Sequence, residues 1–348
     1  MAPGNDDAAL AALAWALDSG AFALPPGPTV LLGARIGHGL PQPGWHCVQA
    51  LRPPFLELAT HGHAASPETA PPDCGAALVL PPRSRDAARA QLAQAVDALT
   101  PGGLLAAAAG NSEGGRALQA DLAALLGEAQ GASKHRCRIA WARKDPARID
   151  AALLEAWRAL AQPQRVTQGD FTFWTHPGLF AWDRIDAASA LLAEHIPADL
   201  RGRVADAGAG WGYLSMVLQR RCPGIASLDL FEADARALEP AQRNLEDAPS
   251  GRSGIARVHW HDVTTGLPGR FDAVVTNPPF HLGRADAPAL GRAFIASAAA
   301  ALEPQGALWL VANRHLPYET ELRARFGETR QVAERDGFKV IHAQAPRP

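Results

Sequence analysis

The sequence predicts an α/β protein built from two tandem copies of one unit, of which the first has lost its site and the second keeps it. Three observations carry this expectation. Short apolar strands alternate with helical stretches through the second half of the chain. The order strand, Pro-Pro, helix, Leu-x-Pro-x-Gly, strand, helix occurs twice at similar spacing. A glycine loop joins a strand to a helix in the second copy and has no counterpart in the first. At 348 residues the chain is also long for one domain, and two is the better expectation.

In the first copy, Thr29–Gly33 ends a strand and Ala77–Leu80 forms another before Pro81-Pro82. The helical Arg85–Leu99, a strand ending at Ala109 and a helix Leu122–Gly127 follow. Ile149–Leu160 reads as a connecting helix and Gln162–Gly169 as a linker. This places the boundary between domains 1–165 and 166–348. The second copy begins with Phe171–Trp174 and an amphipathic helix over Ile185–Ile196. Strands are expected at Arg203–Asp206, Ser227–Glu232, Arg257–His261, Phe271–Thr276 and Ala307–Val311. Helices are expected at Tyr213–Arg221, Asp234–Leu245 and Arg292–Leu302. Alternation of this kind implies a parallel sheet wrapped by helices. Thr329–Arg335 and Phe338–His342, around Asp336-Gly337, read as an antiparallel hairpin at the sheet edge.

Composition narrows the function classes. Apolar residues make up 47% of the chain, enough for two cores, and the net charge is −2. A protein that grips nucleic acid by phosphate neutralisation usually has a basic excess, so any RNA contact must use a local patch. Lys134–Arg138 with Arg143-Lys144 is the best candidate, and a solvated charge run is the plainer reading. Cys47, Cys74, Cys137 and Cys222 are scattered, with no metal-ligand spacing, and read as reduced thiols. The acidic Asp6, Asp7 and Asp18 argue against a signal peptide. No apolar run reaches the length of a membrane span. The chain is expected to be cytoplasmic, with no metal, no membrane partner and a monomeric state.

The chemistry sits in two motifs. Asp206-Ala207-Gly208-Ala209-Gly210-Trp211-Gly212 closes a strand and opens a helix. Glycines let the backbone pass close to a ligand, and the helix start offers free N–H groups. Asp206 would repel a pyrophosphate but suits the ammonium of a methionine moiety. Glu232 closes the next strand, where a carboxylate binds both ribose hydroxyls; a solvated strand-end glutamate is the alternative. Asp262 is placed to accept from an adenine amino group with Val263 packed on the ring, or else it caps a turn. Asn277-Pro278-Pro279-Phe280 follows a further strand. Prolines stiffen the loop and bare its carbonyls. The Asn277 side-chain oxygen and the Pro278 carbonyl are suited to accept both hydrogens of an exocyclic amine, and Phe280 offers a face for stacking. Such a site works by orientation and fixed charge, without a strong base. Together the motifs point to methyl transfer from S-adenosyl-L-methionine to a planar amine.

These residues carry a resemblance. The second half is similar to the class I S-adenosylmethionine-dependent methyltransferases of the (Asn/Asp)-Pro-Pro-aromatic group. It is most similar to the ribosomal RNA guanine-N2 methyltransferases, in particular the small subunit methyltransferase C family. The likeness includes Phe171-Thr172-Phe173, Pro177-Gly178-Leu179-Phe180, the Asn277–Gly283 loop, Ala312-Asn313 with Leu316-Pro317-Tyr318, and Gly337-Phe338-Lys339-Val340. The chain departs from the family at Ala207-Gly208-Ala209, where a Gly-Cys-Gly-type run is common, and at Glu232, where Asp is usual. The resemblance implies two Rossmann-like methyltransferase domains and a methyl transfer to N2 of a guanine in 16S ribosomal RNA within the 30S subunit. It implies RNA holding by the first copy. Two rival readings stand beside it, a protein-glutamine N5-methyltransferase and a non-catalytic RNA-binding assembly factor.

Overall fold

The computed structural model of the chain describes residues 7–247, 253–279, 281–282, 285–286 and 288–347. It divides into two units. One comprises the chain up to Pro163 with His176–Gly178; the other comprises Gln164–Thr175 and the chain from Leu179.

The first unit is a seven-stranded sheet of β1 (Thr29–Leu32), β2 (His46–Val48), β3 (Ala64–Ser66), β4 (Cys74–Val79), β5 (Leu99–Gly110), β6 (Gln130–Lys134) and β7 (Cys137–Arg143) in the order β3-β2-β1-β4-β5-β7-β6. Strands β1 to β5 are parallel, and β7 runs antiparallel to β5. Strands buried on both faces read as continuous apolar runs, as Thr29–Leu32 and Cys74–Val79 do. The helix Ala151–Ala159 is not a connector. Its Leu154 and Trp157 are buried in the core of this unit, and Arg158 pairs with Asp97 at 2.5 Å.

The stretch read as a linker is also structured. Gln164–Gln168 forms β8 and pairs antiparallel with β9 (Phe171–Thr175). Its polar residues hide the strand from a periodicity argument, because only one face is covered. Phe173 supplies the cover, stacking on Trp211 of the glycine loop with ring centroids 4.0 Å apart and planes 6° from parallel. Asn244 then stitches the strand down, accepting from Trp174 N at 2.6 Å and donating to Trp174 O and Trp211 O at 2.8 and 2.7 Å.

The second unit contains β10 (Arg201–Ala207), β11 (Gly224–Glu232), β12 (Ala256–Trp260), β13 (Phe271–Thr276), the short pair β14 (His281–Leu282) and β15 (Ala285–Asp286), then β16 (Leu302–Asn313), β17 (Phe326–Arg335) and β18 (Phe338–Pro346). The main sheet runs β12-β11-β10-β13-β16-β18-β17. The expected hairpin is present at this edge, turning through Asp336 and Gly337 at φ 53° and 82°, the left-handed pair a two-residue turn requires. Apolar clusters fill both sheet faces, as expected for a doubly covered α/β layer.

The two sheets share one strand order and one register at their carboxyl edges. In the first unit, Gly33 N and Ala34 N donate to Val48 O at 2.9 and 3.1 Å. In the second, Gly208 N and Ala209 N donate to Phe231 O at 2.8 and 3.2 Å. Leu32 pairs with Val79 as Ala207 pairs with Thr276. These equivalences set Leu31 against Asp206, Arg35 against Gly210, Gln49 against Glu232 and Leu80 against Asn277.

Candidate active site

In open α/β sheets, ligands bind beyond the carboxyl ends of the strands where the chain order switches direction. In the second unit that point lies between β10 and β13. Asp206 stands near the end of β10, the glycine loop follows it, Glu232 ends β11, and Asn277 follows β13. Thr276 Oγ1 donates to Ala207 O at 2.7 Å and ties the two strand ends together.

The glycine loop has φ of +75°, +54° and +90° at Gly208, Gly210 and Gly212, a region that side chains resist. A Cβ at Gly208 would press on Phe294 at 3.1 Å, whereas one at Gly210 would enter open space. That space is a cleft whose walls include Gly208, Gly210, Asp186, Ser189, Asn277 and Phe180. Gly212 caps the helix Tyr213–Arg221.

Asp206 is completely buried. One carboxylate oxygen accepts from Ser215 Oγ at 2.7 Å, and the other, Oδ1, has no partner among the described residues. Burial pushes its pKa up to about 7; the Ser215 hydrogen bond opposes the rise and nearby Glu232 adds to it. A lone buried carboxylate oxygen is costly unless paired, so this position fits a cationic ligand group. Glu232 accepts from Gly210 N and Asp234 N, both at 2.8 Å. Its pKa is raised by burial and held back by those two bonds. Each of its oxygens keeps a lone pair, since a carboxylate offers about four acceptor positions. The unpaired oxygen, the open cradle at Gly210 and the acidic strand end together suit an amino-acid-bearing nucleoside such as S-adenosylmethionine.

Asp262 and Val263 follow β12, beyond the cleft walls just described. Asp262 Oδ1 accepts from Thr264 N and Thr264 Oγ1 at 2.9 and 2.7 Å, so it caps the turn, while Val263 is buried. Pro278 is buried and Pro279 exposed; Phe280 lies outside the described residues.

Asn277 Nδ2 donates to Asp186 Oδ2 at 3.0 Å and to Ser189 Oγ at 2.9 Å. Its Oδ1 is buried with no partner among the described residues. The amide is thus held by its nitrogen and presents its oxygen. Sequence reasoning did not find Asp186 and Ser189 as site residues; they precede Asn277 by 91 and 88 positions. Their local signal is a helix start, since Asp186 also caps the helix Ala187–His195. Phe180, at the cleft mouth, is 62% exposed.

The basic patch is only partly available. Lys134, Arg136, Arg138 and Arg143 are exposed, and Cys137 is buried. Lys144 turns inward to donate to Val96 O and Leu99 O at 2.7 and 2.6 Å.

The fold and its strand-end cleft have the form of a class I methyltransferase domain, and a family model described as the methyltransferase small domain matches residues 170–342. Ribosomal RNA small subunit methyltransferase C of Yersinia enterocolitica is 31% identical over 305 residues, covering 87% of this chain and 84% of that protein. The same-named protein of Shewanella sp. MR-4 is 34% identical over 177 residues, or 51% of this chain. The match spans about half the length of that relative (50%). A solved structure of the T. thermophilus 16S rRNA N2 G1207 methyltransferase, in complex with AdoMet and guanosine, aligns with a TM-score of 0.78 at 27% identity over 98% of this chain and 92% of that one. This chain belongs to the ribosomal RNA small subunit methyltransferase C family.

Proposed function

We propose that this chain transfers a methyl group from S-adenosyl-L-methionine to the exocyclic N2 of a guanine in 16S ribosomal RNA. The observation that carries the reading is the fixed Asn277 Oδ1 on the cleft wall, unpartnered among the described residues, together with Asp206 Oδ1, likewise unpartnered, on the strand end that leads into the cleft's glycine loop. One oxygen suits an amine hydrogen, and the other suits the ammonium of the methyl donor. S-adenosylmethionine supplies a methyl on a sulfonium: the N2 lone pair forms the N–C bond, the S–C pair stays on sulfur, and one N2 proton leaves to water.

The chain's own residues hold and orient. Asp206 takes the ammonium, the Gly208–Gly212 backbone passes beneath the methionine moiety, and Glu232 takes the ribose hydroxyls. Asp262 Oδ2 and Val263 serve the adenine end. Asn277 Oδ1 and the Pro278 carbonyl accept from the amine, turning its lone pair out of conjugation with the ring. Phe280 and the exposed Phe180 supply aromatic faces for a flipped base. Holding an amine in this way is electrostatic preorganisation, the term that commonly dominates a rate enhancement.

The same proposal covers the first unit. Shared strand order and register favour two copies of one ancestral unit, the first without its acidic and amide groups. It would hold RNA through Lys134, Arg136, Arg138 and Arg143. The enzyme would act as a cytoplasmic monomer on the 30S particle.

Incubation with labelled cofactor and, separately, 30S particles, 50S particles, naked 16S RNA and a release factor tests the reading. Label is expected in N2-methylguanine of 16S RNA. Label in the release factor would favour the glutamine reading, and label in none would leave the non-catalytic one.

A further inference from the structure

We infer that Asp186 and Ser189 are positioning residues for methyl transfer, fixing the rotation of the Asn277 amide so that its oxygen faces the amine. The inference rests on the proposed amine-methylating reading. A carboxylate only accepts hydrogen bonds, and of the two ends of an asparagine amide only the nitrogen donates. With Asp186 Oδ2 at 3.0 Å, the nitrogen must face it. Rotating the amide by half a turn would set two acceptors against each other. Ser189 Oγ, at 2.9 Å on the same nitrogen, takes its second hydrogen. Both N–H bonds are then used, and Oδ1 is the one end left for a ligand.

The clamp is itself held by backbone. Asp186 Oδ2 accepts from Ser189 N at 2.8 Å, as the cap of the helix Ala187–His195. That helix packs on β16 and β18. The carboxylate therefore has little freedom to follow a rotating amide. Its place does most of this, and its charge adds a smaller part. A charged acceptor strengthens the N–H bond and polarises the amide toward its oxygen. Positive charge develops on N2 as the N–C bond forms, so a more negative Oδ1 stabilises the transition state more than the ground state.

A plain helix cap would make the same contact to Ser189 N but would not act through Asn277. Full-length Asp186→Ala, Asp186→Asn and Ser189→Ala, each with and without Asn277→Ala, separate the two roles. Asparagine is as good a cap as aspartate, and its oxygen still accepts from Nδ2. We expect Asp186→Ala to lower kcat on ribosomal RNA by about 30-fold or more, while cofactor Kd and RNA KM stay within about 3-fold. Asp186→Asn should recover most of that loss. In the Asn277→Ala background, Asp186→Ala should cost less than about 3-fold further, because the amide it orients is gone.

A readout without turnover is hydrogen exchange of the Asn277 side-chain amide, which should quicken in Asp186→Ala and stay near wild type in Asp186→Asn. Three results would overturn the inference: near-normal kcat in Asp186→Ala, a full undiminished loss in the Asn277→Ala background, or an Asp186→Asn enzyme as poor as Asp186→Ala. If the wild-type protein methylates no ribosomal RNA, the proposed function falls, and the exchange rates still decide whether the clamp exists.

Discussion

Replacing Asp206 by asparagine should stabilise the cofactor-free protein at pH 8 and weaken cofactor binding at the same time. The carboxyl is fully buried with a folded pKa of about 7, against 3.8 for the free side chain. Its folded value is raised, so the native state holds a proton that the unfolded chain has released. Stability from this group is complete below about pH 4 and is lost as pH rises through 7. A shift of roughly three units corresponds to about 4 kcal/mol at full ionisation, an upper bound for a group that relaxes when charged. Asparagine never ionises and still accepts from Ser215, but it buries an unpaired NH₂ at a cost of about 1–3 kcal/mol. The variant is therefore expected to be the less stable protein at pH 5 and the more stable one at pH 8. A swing of about 3 kcal/mol moves the Tm difference by about 6–12 °C for a unit of this size. Thermal scans of both proteins without cofactor measure it, with every other titration common to the two. Calorimetry in buffers of different ionisation heat should show proton release when the wild-type protein binds cofactor near pH 7. Parallel Tm–pH curves for the two proteins would refute the reasoning. So would an Asp206→Asn protein that binds cofactor normally.

Asn277→Ala should leave cofactor affinity within a few-fold but lower turnover by at least about 100-fold, the loss of one preorganised contact; near-normal turnover would end the amine-gripping role. Phe180→Ala should raise KM for RNA by about 10-fold with kcat little changed, as loss of one base–aromatic stack of 1–3 kcal/mol requires, and a fall confined to kcat would count against it. Cofactor titration should saturate at one molecule per chain, and a second site would contradict the loss of function assigned to the first unit.

Much of this was legible in the sequence because the motifs obey local rules. Gly208, Gly210 and Gly212 announce a backbone that side chains cannot follow, and Asp336-Gly337 announces a tight hairpin. Both are written in consecutive residues. The clamp on Asn277 is different in kind. Asp186 and Ser189 look like an ordinary helix cap, and only the folded chain brings them to an amide about ninety positions away. The β8 strand escaped for a related reason: Gln164–Gln168 is mostly polar, and its partner's cover, Trp211, belongs to another motif. Lys144 shows the reverse error. Its charge reads as surface, yet it caps the carbonyls of Val96 and Leu99, a contact that burial makes possible and composition does not reveal.

The contrast between the units explains why one sheet keeps costly groups that the other lacks. At the position equivalent to Asp206 stands Leu31, fully buried. An apolar side chain there removes the charge penalty that Asp206 carries above pH 7. At the position equivalent to Glu232, Gln49 keeps the structural half of the role: its Oε1 accepts from Leu51 N at 2.8 Å, as Glu232 accepts from Asp234 N, and its Nε2 donates to Ala34 O at 2.7 Å. Where Glu232 takes Gly210 N and retains lone pairs, Gln49 is neutral. Arg35 stands where Gly210 leaves open space, and its guanidinium pairs with Asp7, the cap of the helix Ala8–Asp18. Asp186 is the corresponding cap in the second unit, and there it turns to Asn277 instead. At these equivalent positions the first unit thus carries apolar, neutral or internally paired side chains. The second leaves Asp206 Oδ1 and Asn277 Oδ1 unpaired among the described residues, a cost that the proposed function accounts for by having the methyl donor and the amine supply the missing partners.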